Sequence, residues 1–147
     1  SGGVGSTLDL RLGGTMGPVS GDPRDLRVAV TGIVEDMIPE WPQQGEPMQI
    51  RCGDSVCLHC QGIDIIVNSK RVQAFGPMIF TNFGIDISQK RLLIVKSNQH
   101  FYAGFEPVAS EILYMASPGS VAPRFTEIPY TRVDLNKYPW VENPFAG

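Results

Sequence analysis

Residues 51 to 62 read RCGDSVCLHCQG and place all three cysteines of the chain, with one of its two histidines, between positions 52 and 60. Cys and neutral His are the usual ligands of zinc, and Cys57-Leu58-His59-Cys60 has CxxC spacing, so a metal site is the first chemistry to test. Strand geometry works against it. With Gly53-Asp54 as a two-residue hairpin turn, Cys52, Cys57 and His59 share one face of a ladder and Cys60 takes the other, because residues three apart on a strand project oppositely. No second CxxC exists to complete a tetrahedron. A redox CxxC opens a helix, whose dipole lowers the thiol pKa, and the β-rich surroundings offer no such helix. The cysteines are expected to serve as small apolar residues of a half-buried strand, with no metal bound by this chain.

The elements around them follow from periodicity. TLDLRL (7–12) alternates as a half-buried strand and is stopped by Gly13-Gly14; residues 13–24 are expected to form a surface loop. DLRVAVTGIVEDMI (25–38) reads as a long strand with a bulge or bend at Gly32. PEWPQQGEP (39–47) holds three prolines and is not expected to continue a ladder. MQIRC, SVCLHC and IDIIVNS then read as three strands of a meander, turned at Gly53-Asp54 and Gln61-Gly62.

After Arg71 the character changes. Pro77 opens a short helix over MIFTNFGI that Gly84 closes. RLLIVKS (91–97) is apolar on both sides and suits a strand buried on both faces. NQHFYAGFEPVASE predicts a helix with Phe101, Phe105 and Val108 on its buried stripe, interrupted by Pro107. SEILYMAS reads as one more strand, and from Pro118 onward the chain is expected to run as an extended arm. The predicted fold class is α+β: a mostly antiparallel β-sheet domain with two short helices and a strand-helix-strand unit near the C-terminal end. Residues 1–130 are expected to form the domain and 131–147 an extended aromatic, proline-rich tail.

Composition narrows the function classes. A chain of 147 residues suits one domain, and 42 % apolar with 18 % charged residues is the balance of a folded protein. A net charge of -3 provides no basic field for phosphates, so no nucleic-acid partner is expected. No apolar run reaches the roughly 18 residues of a membrane span, and SGGVGSTLDL lacks the blocks of a signal peptide. With an odd cysteine count, these features predict reduced thiols and a cytoplasmic protein without membrane contact.

The motifs that carry more information lie later. Ser69, Lys70, Arg71, Gln73 and Phe75 form S-K-R-x-Q-x-F, and Val95, Lys96, Ser97, His100 and Phe101 form V-K-S-x-x-H-F, followed by Ala103, Phe105, Pro107, Val108 and Ala109. With GGVGSTLDLRLGG (2–14), these stretches resemble the C-terminal domain of the microcystinase C (MlrC) family of zinc metallopeptidases, over residues 2 to about 130. Tyr102 stands where that family commonly has Arg, and Gly76-Pro77 where it often has Asp-Pro. The resemblance implies a parent protein that is a zinc-dependent peptide or amide hydrolase. It places the zinc ligands in an N-terminal metal-binding domain absent from this chain, which alone is expected to be inactive.

Within that reading, Lys96 and His100 are the candidate catalytic residues, at the exit of one strand and the start of a helix. Lys96 is suited to a carboxylate or developing oxyanion, and His100 to hydrogen-bonding a carbonyl or passing a proton. Arg71, Gln73 and Ser97 are candidate substrate-binding residues, Arg71 and Gln73 through a bidentate carboxylate contact. The partners expected are the chain's own N-terminal domain and a peptide or amide substrate, with a homo-oligomer left open. The structural alternative makes Ser97 or Asn98 a helix N-cap and His100 a helix-start hydrogen-bonder. At the level of function the alternative is a non-catalytic β-rich module that binds a ligand or protein. Asp64, Asp86 and Glu106 are assigned to turns or solvated positions.

Overall fold

A computed structural model describes residues 2–41, 48–117 and 124–145. The alternating segment Thr7–Leu12 forms β1 and the Val- and Ile-rich segment Arg24–Met37 forms β2. Gly53–Cys60 (β5) and Ile63–Asn68 (β6) complete a four-stranded sheet in the order β1-β2-β5-β6. β2 and β5 are antiparallel, as are β5 and β6. Gln61 and Gly62 both take positive φ, 51° and 80°, which lets a two-residue turn set Cys60 opposite Ile63 and fix the hairpin's register. The expected irregularity at Gly32 is real: the β2–β5 register shifts between Val30 and Gly32. A Cβ on Gly32 would come 2.8 Å from the Phe83 ring, so the bulge opens the space in which that ring packs.

Gly53-Asp54 is not a hairpin turn. Gly53 pairs with Met37, Cys52 N–H donates to the Met37 carbonyl, and Lys70 N–H donates to the Cys52 carbonyl. Cys52 and its followers therefore lie between β2 and the exit of β6, and the strand expected over MQIRC shrinks to Met48–Gln49 (β4). β4 pairs with Glu40–Trp41 (β3) in a two-residue ladder, so the proline-rich stretch does enter a ladder just after Pro39. Its remainder, 42–47, lies outside the described residues. Gly53 reads as a turn residue because it needs positive φ (68°), but here it supplies an irregularity inside a strand.

The core draws on Val28, Val30 and Met37 of β2, Cys57, Leu58 and Cys60 of β5, and Cys52, Ala74, Phe101 and Phe105. Met78–Thr81 forms α1 after Pro77, and Gly84 (φ 71°) follows its end. Tyr102–Phe105 forms α2, extended by one 3-10 turn at Glu106–Val108, where Pro107 stops regular helix. Phe101 and Phe105 are buried as the helical stripe predicts, and Phe80 meets Phe105 edge to face at 6.2 Å. Val108 is exposed, because the 3-10 turn carries it off the stripe.

The strand-helix-strand unit does not form as expected. Residues 91–97 and 110–117 join no ladder among the described residues, and Leu92, Ile94 and Leu113 are 71, 73 and 76 % exposed. Unlike β5 and β6, these segments have no local turn that brings a partner strand alongside. The chain divides by internal contacts into two units, Ser1–Arg11 with Asp25–Leu113, and Leu12–Arg24 with Tyr114–Gly147. In the second, the C-terminal residues do not all run extended: Phe125–Glu127 makes a 3-10 turn and Tyr130 packs edge to face on Trp140 at 5.5 Å. No helix among the described residues is long and apolar enough to cross a membrane.

Candidate functional site

The two motif stretches meet. Beyond β6 the chain runs through Arg71 to Phe75, and the side chain of Gln73 reaches residues 97–98. Its Oε1 accepts from the Ser97 hydroxyl and from the Asn98 backbone N–H, both at 3.1 Å. One residue on, Ala74 N–H donates to the Lys96 carbonyl at 3.4 Å. A buried alanine and one exposed glutamine amide thus hold the VKSN stretch against QAF where no regular ladder exists. Ser97 and Asn98 are not the N-cap of α2, because three further residues, Gln99 to Phe101, separate them from its first turn. Their polar groups serve Gln73 instead.

α2 then fixes His100. A Cβ on Gly104 would run into the Phe75 carbonyl oxygen and come 2.8 Å from the Gly76 Cα, so α2 lies directly on the Phe75-Gly76 backbone. His100, just before α2, is thereby delivered beside Phe75, with ring centroids 5.4 Å apart. Trp41 of β3 completes a three-ring cluster, 4.9 Å from Phe75 and 5.7 Å from His100 in an edge geometry. The Trp41 Nε1–H is buried and has no acceptor among the described residues. His100, Lys96, Arg71 and Gln73 are all exposed, and Gln73 also lines a small cleft with Pro39, Glu40, Ile50, Phe75, Gly76 and Ile79.

Of the five residues expected at the site, the structure links Gln73 to Ser97 directly and puts Lys96 and His100 on the same short stretch. Arg71 stands two residues before Gln73 and is exposed. Trp41 was missed from sequence: it sits among prolines without periodicity, and only its pairing through β3–β4 brings it here. Phe75 was visible as a motif position but not as the ring against His100.

The cysteine cluster is a different environment. Cys52, Cys57 and Cys60 are buried free thiols. Burial pushes the Cys52 thiol above its ordinary value, and does the same for Cys57, partly offset by the Thr31 hydrogen bond. A raised thiol pKa opposes the thiolate that both metal binding and redox exchange require. His59 is committed elsewhere. Its Nδ1–H is 2.7 Å from Asp64 Oδ1, its cross-strand partner, and Lys90 Nζ donates to Asp64 Oδ2 at 2.6 Å. These two bonds, Lys90 first, hold the Asp64 carboxyl below the usual range. Asp64 is therefore no solvated turn residue: it lies in β6 with its side chain 18 % exposed. Asp86 is exposed and caps the next turn through Ser88 N–H.

Among the described residues no three His, Cys, Asp or Glu side chains are grouped so as to hold a metal ion. The zinc implied by the family resemblance does not fit this set of side chains. What the fold and site define is a β-rich α+β domain presenting exposed polar residues and an aromatic cluster along one edge. The sequence matches the family described as MlrC C-terminus over residues 1–132, and the chain belongs to that family. It is also 35 % identical over 115 residues to microcystinase C from Sphingomonas sp, a match covering 78 % of this chain and 22 % of that protein. The chain thus spans about a fifth of the length of the curated relative it matches.

Proposed function

We propose that this chain is the C-terminal part of a peptide or amide hydrolase and lines the substrate side of its active site. The observation that carries the reading is the Gln73 clamp on Ser97 and Asn98, which gathers matched family positions along one exposed edge. His100 would hydrogen-bond or pass a proton to the scissile amide, and Lys96 would neutralise a carboxylate or developing oxyanion. Gln73 and Ser97 would orient the substrate from below, with Arg71 taking a more distant carboxylate. The buried Trp41 N–H lacks an acceptor of the kind an amide carbonyl provides. Zinc ligands would come from the N-terminal part of the longer protein, and no step is assigned to the metal. The relative's name suggests a peptide of the microcystin kind as substrate.

The test is substitution in the full-length protein. His100→Ala and Lys96→Ala should each lower kcat/KM for a peptide amide by about tenfold or more with Tm unchanged. Unaltered turnover in both variants would leave the second reading, a ligand- or protein-binding module. The exposure of all four long polar side chains at an open edge is the observation that favours that alternative.

A further inference from the structure

Residues 91–97, RLLIVKS, follow the period of a strand without belonging to one. Leu93, Val95 and Ser97 are half-buried, while Leu92, Ile94 and Lys96 are exposed. Among the described residues, the one backbone bond made here is from Ala74 N–H to the Lys96 carbonyl. In a strand, a residue's N–H and C=O point to the same edge and alternate along the chain. The Lys96 bond therefore assigns residues 92, 94 and 96 to the edge facing residue 74, and 93 and 95 to the opposite edge. Among the described residues, no backbone group of Leu93 or Val95 has a hydrogen-bond partner. An apolar, β-prone stretch with a bare edge and two leucine-sized side chains in solvent is a template for strand addition.

We propose that a β-strand from the part of the longer protein outside these 147 residues adds to the Leu93/Val95 edge and covers Leu92 and Ile94. This rests on the chain being part of a longer polypeptide, and not on the hydrolase reading. About four-fifths of microcystinase C lies outside the match, which is ample to supply such a strand. A second copy of the chain is a poor occupant. Antiparallel pairing of two copies through their Leu93/Val95 edges, centred on Ile94, sets Arg91 against Ser97 and Lys96 against Leu92, so neither cation gains a carboxylate. No acidic residue lies between Asp86 and Glu106 to relieve this. The expected occupant alternates apolar residues and carries a carboxylate beside Arg91 or Lys96, neither of which has an ion-pair partner among the described residues.

The test is hydrogen exchange on the full-length protein, resolved at residues 91–97. The Leu93 and Val95 amides should exchange at least about 100-fold more slowly than an unstructured chain, at a rate independent of protein concentration. Exchange at the unstructured rate would overturn the proposal, and so would protection lost on dilution, which would assign the edge to a second copy. Ile94→Lys should speed exchange at Leu93 and Val95 about tenfold or more while β5–β6 stays protected. Unchanged protection in that variant would argue against the strand's covering Ile94. Should the variant fail to fold, the wild-type measurement decides alone. None of these readouts depends on turnover, so failure here and failure of the hydrolase reading are distinguishable.

Discussion

The β5–β6 hairpin and the 91–97 segment carry equally strong strand patterns and end differently. Both are apolar runs of strand length bounded by polar residues. In the hairpin, the left-handed Gln61-Gly62 pair returns the chain on itself, so every β5 residue from Ser55 to Cys60 acquires a partner in the strand that follows directly. Segment 91–97 has no such turn on either side and is held by one backbone bond and the Gln73 side chain. Periodicity measures competence to be a strand; a partner has to come from somewhere else. The hairpin's partner is local, and the segment's is not within the described residues.

The sharpest way to break this comparison is truncation at matched leucines. Leu58, 2 % exposed between β2 and β6, should cost about 2–5 kcal/mol when changed to Ala in the 147-residue chain. Leu92, 71 % exposed, should cost no more than about 0.5 kcal/mol in the same chain. Chemical denaturation of the two variants measures both. Near-equal losses would mean that 91–97 is packed as tightly as the hairpin, contrary to the exposure found for it.

A smaller effect tests what positions the polar edge. In Gly104→Ala the new methyl meets the backbone of Phe75 and Gly76, which cannot rotate away. α2 must lift, at a cost of about 1–3 kcal/mol, and His100 must move off Phe75. Loss of stability together with changed His100 ring chemical shifts would support the contact. A variant as stable as the parent, with His100 unmoved, would show that α2 does not rest on this turn.

How much was legible in the sequence follows from the same division. β1, β2, β5, β6, the Gly32 bulge and the Gln61-Gly62 turn were readable because their period and turn residues are local signals. Gly53 was misread because positive φ serves a turn and a strand irregularity alike. Of the site, the motif residues 73, 97 and 100 could be named, and Gln73 and Ser97 do meet. Trp41, the Gly104 approach and the role of Asp64 depend on contacts between segments far apart in sequence, which no window of neighbouring residues contains.

Asp64 gives a smaller effect than Gly104 and a more specific one, because it ties the hairpin to the residue just before 91–97. Its carboxylate accepts from Lys90 and His59, so its folded pKa lies below the ordinary value of 3.8. In the acid range the folded state then binds fewer protons than the unfolded state. The resulting stabilisation is complete above the unfolded pKa and is lost as pH falls through the lower, folded value. Asp64→Asn should therefore lower stability by about 1 kcal/mol at neutral pH, a modest figure because Lys90 and His59 are partly in solvent. The gap between variant and parent should close as pH falls through the depressed folded pKa, where the parent's own carboxyl takes up its proton. Urea titrations of both proteins across this range measure the gap directly. A difference that stayed constant with pH would place the effect in packing rather than in the charge of Asp64, and the link from β6 to Lys90 would then be one of shape alone.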